Sequence, residues 1–154
     1  MTETNYFDSS ALVKRYLAEV GSAWVQTRCN DPTQIIALAD IGRVEIAAAF
    51  ASKLRSQTIV QADYQRARSK LTADVQQKYQ LLPVASQRID EAIDLTARHK
   101  LRGYDAVHLA CALYLNQVLL SNGLTPLIFV SADIDLLQAA QAEGLVIENP
   151  NSYP

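Results

Sequence analysis

The 154 residues hold only two cysteines and two histidines, and no apolar run approaches the roughly 18 residues needed to span a bilayer. Two thiols make neither a disulfide framework nor a zinc site. Cys29 and Cys111 both fall in stretches that read as helix and are taken as reduced packing residues. There is no glycine-rich phosphate loop and no GxGxxG, which argues against a P-loop or dinucleotide site. His99 lies in a polar stretch and His108 has no activated serine nearby, so a Ser-His-Asp arrangement is not expected. The opening MTETN lacks a positive region and an apolar run, so neither a leader nor a membrane anchor is expected, and the expected location is cytoplasmic. Basic charge is also scarce. A net charge of -2 gives no whole-protein positive field of the kind that marks a general nucleic-acid binder.

What is present is ordinary globular chemistry, 49% hydrophobic and 19% charged, at a length that suits one domain over residues 1–154. Tyr6-Phe7 reads as a strand, followed by a turn at Asp8-Ser9-Ser10 and a helix whose Ala11, Leu12, Tyr16 and Leu17 recur at helical spacing. A second short helix starts at Gly21-Ser22 and ends in the turn Asn30-Asp31-Pro32. Residues 34–39 suit a buried strand. The alanine-rich stretch from Asp40 to Ser56 suits a helix with Asp40 as N-cap. A polar helix is predicted over about 60–78, then a short edge strand at Leu81-Leu82-Pro83-Val84. Helices over about 86–100 and 104–116, a strand at 127–130, a helix capped by Ser131 or Asp133 and stopped at Gly144, and a strand at 145–147 complete the chain. Strands alternating with helices predict an α/β fold with a parallel sheet covered on both faces. In such sheets sites lie beyond the carboxyl ends of the strands, where both Asp8 and Asp133 fall.

Four acids then become candidates. Glu45 stands inside VEIAAAF, where an ionised carboxylate needs a partner, a hydrogen bond or a metal; a helix edge with Glu45 facing solvent or pairing with Arg43 explains the spacing equally well. Asp105 opens the apolar helix GYDAVHLACAL, where the macrodipole alone would favour an acid. His108, three residues on, is a metal ligand only in the minority reading and a hydrogen-bonded core residue in the other. Asp133 and Asp135 both sit in a first helical turn, where capping accounts for one of them. Asp8, likewise, is explained by a turn. Brought together, these carboxylates would repel one another and call for a hard divalent cation, magnesium or manganese.

The segments YFDSSALVKRYLAE, RVEIAAAF, LRGYDAVHLACAL and FVSADIDLLQAAQAEGL resemble, in that order, the four acidic motifs of PIN-domain ribonucleases, and most of all the VapC-type toxins of toxin–antitoxin pairs. The resemblance covers nearly the whole chain. It implies a three-layer α/β/α PIN-like fold with a parallel sheet of about five strands, and Mg2+ or Mn2+ as cofactor. The implied activity is endonucleolytic hydrolysis of RNA by metal-activated water. Carried over residue by residue, the acids are Asp8, Glu45, Asp105 and Asp133, with Asp8, Asp105 and Asp133 as metal ligands; Ser10 and Ser131 match hydroxyls that orient carboxylates, and Asp135 is an accessory or a cap.

The resemblance also implies partners: an RNA substrate, a small antitoxin protein packed beside the site, and a second copy in a homodimer. Ala11, Leu12, Tyr16, Trp24 and Val25 either line the antitoxin groove or, more simply, belong to the core. Lys14, Arg15, Arg43 and Arg102 lie beside three of the motifs and are candidates to meet phosphate. Arg66, Arg68 and Lys70, on the helix predicted over about 60–78, read as a solvated face or part of an RNA-facing rim. Two other readings keep the fold: a nuclease of RNA maturation or structured DNA without an antitoxin, and a catalytically silent binding module.

Overall fold

The computed structural model describes residues 2–154. Five strands, β1 (Glu3–Phe7), β2 (Gln34–Ala39), β3 (Gln80–Leu82), β4 (Ile128–Val130) and β5 (Val146–Glu148), form one all-parallel sheet in the order β3-β2-β1-β4-β5. Seven helices connect and cover it: α1 (Ser9–Leu12), α2 (Ser22–Asn30), α3 (Gly42–Arg55), α4 (Gln61–Gln77), α5 (Ser86–Arg98), α6 (Gly103–Ser121) and α7 (Ile134–Ala142). The chain builds outward from β1 through β2 to β3, then returns to lay β4 on the other side of β1. The switch point therefore falls between β1 and β4, which pair with Phe7 opposite Val130.

Period-two alternation sorts the sheet residues between the two covering layers. Phe7, Ile36, Leu38 and Val130 pack with Leu12, Val25, Ile46, Phe50 and Leu71 of the α1–α4 layer. Tyr6, Ala39 and Phe129 pack with Leu95, Leu109, Leu136 and their neighbours from α5, α6 and α7. Both cysteines are buried in helices with free thiols. No helix among the described residues is long and apolar enough to cross a membrane.

Several boundaries differ from those read in the sequence. The first helix is a single turn that tightens to 3-10 geometry over Val13–Arg15. Asp40 is not the cap of α3: Ile41 holds that position, and Asp40 is drawn into an ion pair with Arg43. α6 runs on to Ser121, because Leu119 still has core to bury there. Gly144 follows α7 at φ +95°, the left-handed conformation that suits a helix stop.

Arg15 and Lys14 are corrections of another kind. Both point into the protein rather than toward a phosphate. The Arg15 guanidinium donates to Asp74 at 2.8 Å and to Asn30 at 3.0 Å with its side chain 2% exposed, and buried Lys14 reaches Glu19 at 3.3 Å. Tyr16 also donates to Asp74, so one carboxylate ties α4 to the turn after α1.

Burial pushes Asp74 up, but the Arg15 and Tyr16 hydrogen bonds outweigh it and hold the carboxyl below its ordinary value. A depressed carboxyl stabilises the fold above the unfolded value and loses that contribution as pH falls through the folded one. Asp74→Ala, which leaves the Arg15 charge buried without its partner, is expected to cost about 3 to 5 kcal/mol in urea unfolding. The variant is also expected to lose less of its remaining stability than the parent does on acidification below about pH 4.

Candidate active site

Asp8 follows the last residue of β1, and Ser131 follows the last residue of β4, so the pairing of those strands places the two side chains against each other. The Asp8 carboxylate is 3% exposed, and its oxygens are surrounded by donors. Ser131 donates to Oδ2 at 2.7 Å, Ser10 donates across both oxygens at 2.8 and 2.9 Å, and the Ala11 amide donates to Oδ1 at 3.0 Å. Each hydroxyl in turn accepts a backbone amide of the segment after β4: Ala132 gives to Ser10 across the crevice and Asp133 gives to Ser131 two residues back, both at 3.0 Å. Both hydroxyls thus converge on Asp8. Ser131 meets Asp133 only through its backbone.

The other three acids come from helix starts. Asp133 caps α7, accepting the Leu136 amide at 3.1 Å, and is half-buried. Asp105 lies in the first turn of α6, also half-buried. Glu45, in the first turn of α3, takes a hydrogen bond at 2.5 Å from or to His108 Nε2 on α6. Its alternative partner, Arg43, is engaged with Asp40 instead. His108 is 1% exposed and meets the Tyr6 hydroxyl with Nδ1 at 2.7 Å, which is the core role that the sequence offered as its simpler reading. Tyr6 was not among the candidates. Its signal was a buried hydroxyl on the strand that carries the first acid, and β-strand periodicity alone treats such a tyrosine as core.

The electrostatics link all four acids. Burial first, then the charges of Asp133 and Asp8, raise the Asp105 carboxyl to about 6, with a smaller push from Glu45 and an opposing pull from His108. Burial raises Asp8 as well, against the hydrogen bonds from Ser131 and Ser10 and the charge of His108. Burial lowers His108, but the Glu45 hydrogen bond and the charges of Glu45, Asp8 and Asp105 carry it above its usual value. This is an excess of negative charge with oxygen-only acidic donors, the chemistry that a hard divalent ion neutralises. Among the described residues no three histidine, cysteine or acidic side chains already stand close enough to share one ion. The chemistry of the donor set, four carboxyl groups of which Glu45, Asp105 and Asp133 are half-buried, suits such an ion.

Arg43 and Arg102 are exposed beside the second and third motifs, and Arg102 makes no ion pair among the described residues. Asp135 is exposed and reaches Lys100 at 3.7 Å, away from the buried carboxylate.

No protein-family model matches the chain, and no curated protein matches it in sequence. Solved structures do match. PAE2754 from Pyrobaculum aerophilum superposes at TM-score 0.63 and 20% identity over 98% of this chain and 85% of that one. A chain of a toxin-antitoxin complex from Klebsiella pneumoniae gives 0.60 and 16% over 95% and 97%, and one of VapBC2 from Rickettsia felis, bound to a DNA fragment from its promoter, gives 0.62 and 12% over 95% and 98%. The fold is PIN-like. At these identities the likeness is one of fold. Asp8 directly follows β1 and Asp133 caps the helix that follows β4, so these two acids stand at the switch point where open parallel sheets place their sites.

The raised Asp105 carboxyl has a thermodynamic consequence. Because its folded value exceeds the unfolded one, the metal-free fold loses stability as pH rises from about 4 to about 6 and stays lower above that. Manganese is therefore expected to raise Tm clearly at pH 7.5 and little at pH 5, where Asp105 holds its proton. In differential scanning fluorimetry Asp105→Asn is expected to melt higher than the parent without metal at pH 7.5, and to have lost most of the manganese shift.

Proposed function

We propose that this chain is a magnesium- or manganese-dependent endoribonuclease, the toxin of a toxin–antitoxin pair. The observation that carries the reading is the setting of Asp105: a half-buried carboxyl raised to about 6, first by burial and then by the charges of Asp133 and Asp8, with a smaller push from Glu45. A purely structural set of caps has no reason to meet at one switch point. Asp8, Asp105 and Asp133 would hold the ion. The chemistry that such an ion supplies is Lewis-acid polarisation of a phosphodiester and of water. Ser10 and Ser131 orient the buried Asp8 carboxyl, while Glu45 Oε2 makes no hydrogen bond among the described residues and is so open to accept a proton. Arg43 and Arg102 are the exposed cations of the original four and are assigned to phosphate.

The antitoxin belongs to the same proposal, supported by the two toxin–antitoxin complexes that contain a chain of this fold. Ala11, Leu12 and Val25 are fully buried core, so they do not line a groove. A cleft lies instead between the turn after α1 and α4, lined by Tyr16, Leu17, Ile59, Ala67 and Lys70. The homodimer is likewise part of the proposal, and exposed Ile89, Ile93 and Tyr104 on α5 and α6 offer it apolar surface.

Induced expression in a bacterial host tests the reading. The wild-type chain is expected to arrest growth with accumulation of cleaved RNA, and Asp8→Asn and Asp105→Asn, expressed to the same level, are expected to do neither. Arrest that persists in both variants would rule out the acids as its cause. Ser131→Ala, which removes one donor from Asp8, is expected to reduce cleavage about 10- to 100-fold without abolishing it.

A further inference from the structure

Buried Tyr6 meets two groups through its hydroxyl, the Ala39 amide at 3.2 Å and His108 Nδ1 at 2.7 Å. An amide N–H can only donate, so Ala39 gives its hydrogen to the phenol oxygen. The phenol carries its own hydrogen, as a tyrosine does at neutral pH, and can give it to one acceptor. Among the described residues its one acceptor is His108 Nδ1. In the neutral ring Nδ1 is therefore bare, and the single N–H stands on Nε2, which faces Glu45 Oε1 at 2.5 Å. The opposite tautomer fails twice: it leaves the phenol hydrogen with no acceptor, and it sets a bare ring nitrogen against a carboxylate oxygen.

We propose that Tyr6 and His108 are positioning residues for Glu45, forming a one-way chain from the Ala39 amide through the Tyr6 hydroxyl to an Nε2–H tautomer of His108 that holds Glu45 Oε1 and leaves Oε2 to the crevice. The chain spans the sheet and both helices that frame the site: Tyr6 is on β1, Ala39 ends β2, His108 is on α6 and Glu45 on α3. Gly42 of α3 lies directly over the ring: a Cβ there would stand in van der Waals contact with His108 Cε1, at 3.5 Å. The relay is tied to the β1 strand that also ends in Asp8. One strand thereby positions two of the four acids, one directly and one through the imidazole. The functional half of this inference rests on the ribonuclease reading; the tautomer does not.

Two measurements test it. In nitrogen NMR of histidine-labelled full-length protein at pH 8.5, with His99 assigned by the His99→Gln variant, His108 is expected to show an unprotonated Nδ1 and a protonated Nε2. In Tyr6→Phe the ring is expected to become a mixture of tautomers. A protonated Nδ1 in the wild type overturns the chain. In RNA cleavage, Tyr6→Phe and His108→Leu are expected to lose about tenfold or more in kcat with KM changed less than about threefold, as for the loss of an outer-shell orienting group. His108→Gln, whose amide N–H reaches the place of Nε2, is expected to recover most of that loss, which a merely structural role would not allow. Wild-type turnover in a folded His108→Leu, beside an inactive Glu45→Gln, overturns the positioning role and leaves the ribonuclease reading intact. No cleavage by the wild type defeats the ribonuclease reading and with it the positioning role, while the NMR result still decides the tautomer.

Discussion

The site depends on holding one carboxyl group inside the protein. Asp8 stands at the end of a central strand with almost no exposure, and an isolated charge there would take up a proton. It is held by two serine hydroxyls and an amide, Ser10 and Ala11 from the turn of α1 and Ser131 from the end of β4. The same hydroxyls accept the amides of residues 132 and 133, so the groups that support Asp8 also fix where α7 starts and hence where Asp133 stands. The parallel pairing of β1 with β4 makes this possible. A shift of one residue in that register would turn Ser131 to the other face of the sheet.

From this follows the division of labour among the acids. Asp8 is built in and rigid. Asp105 and Asp133 are half-buried at helix starts, and burial first, then the charges of Asp133 and Asp8, raise the Asp105 carboxyl to about 6. Glu45 is neither paired with a cation on its own helix nor free, since His108 reaches it from α6. Such an arrangement stores repulsion that the proposed divalent ion would release, and on that reading cation binding would be coupled to fold stability.

Much of this was legible in the residues. The order of strands and helices, the parallel sheet and the placement of Asp8 and Asp133 at strand ends follow from periodicity and from turn chemistry. What could not be read was long-range pairing of polar groups. Lys14 and Arg15 sit beside the first motif in sequence, yet Arg15 turns inward to Asp74, 59 positions away, and no local pattern marks that partner. Asp40 has the residue type of a cap, but Arg43 one turn on competes for it. Tyr6 and His108 are 102 positions apart and meet only because β1 and α6 pack on each other, so their hydrogen bond has no signature in spacing. The motifs located the acids; the geometry identified what holds each of them.

The most direct check on the central claim is the cleavage of RNA by the purified, partner-free chain, followed with manganese and again after chelation with EDTA. Cleavage that requires the metal and disappears in Asp8→Asn, with the variant still folded, is the expected result. Equal cleavage in EDTA, or undiminished cleavage by folded Asp8→Asn, would contradict the account.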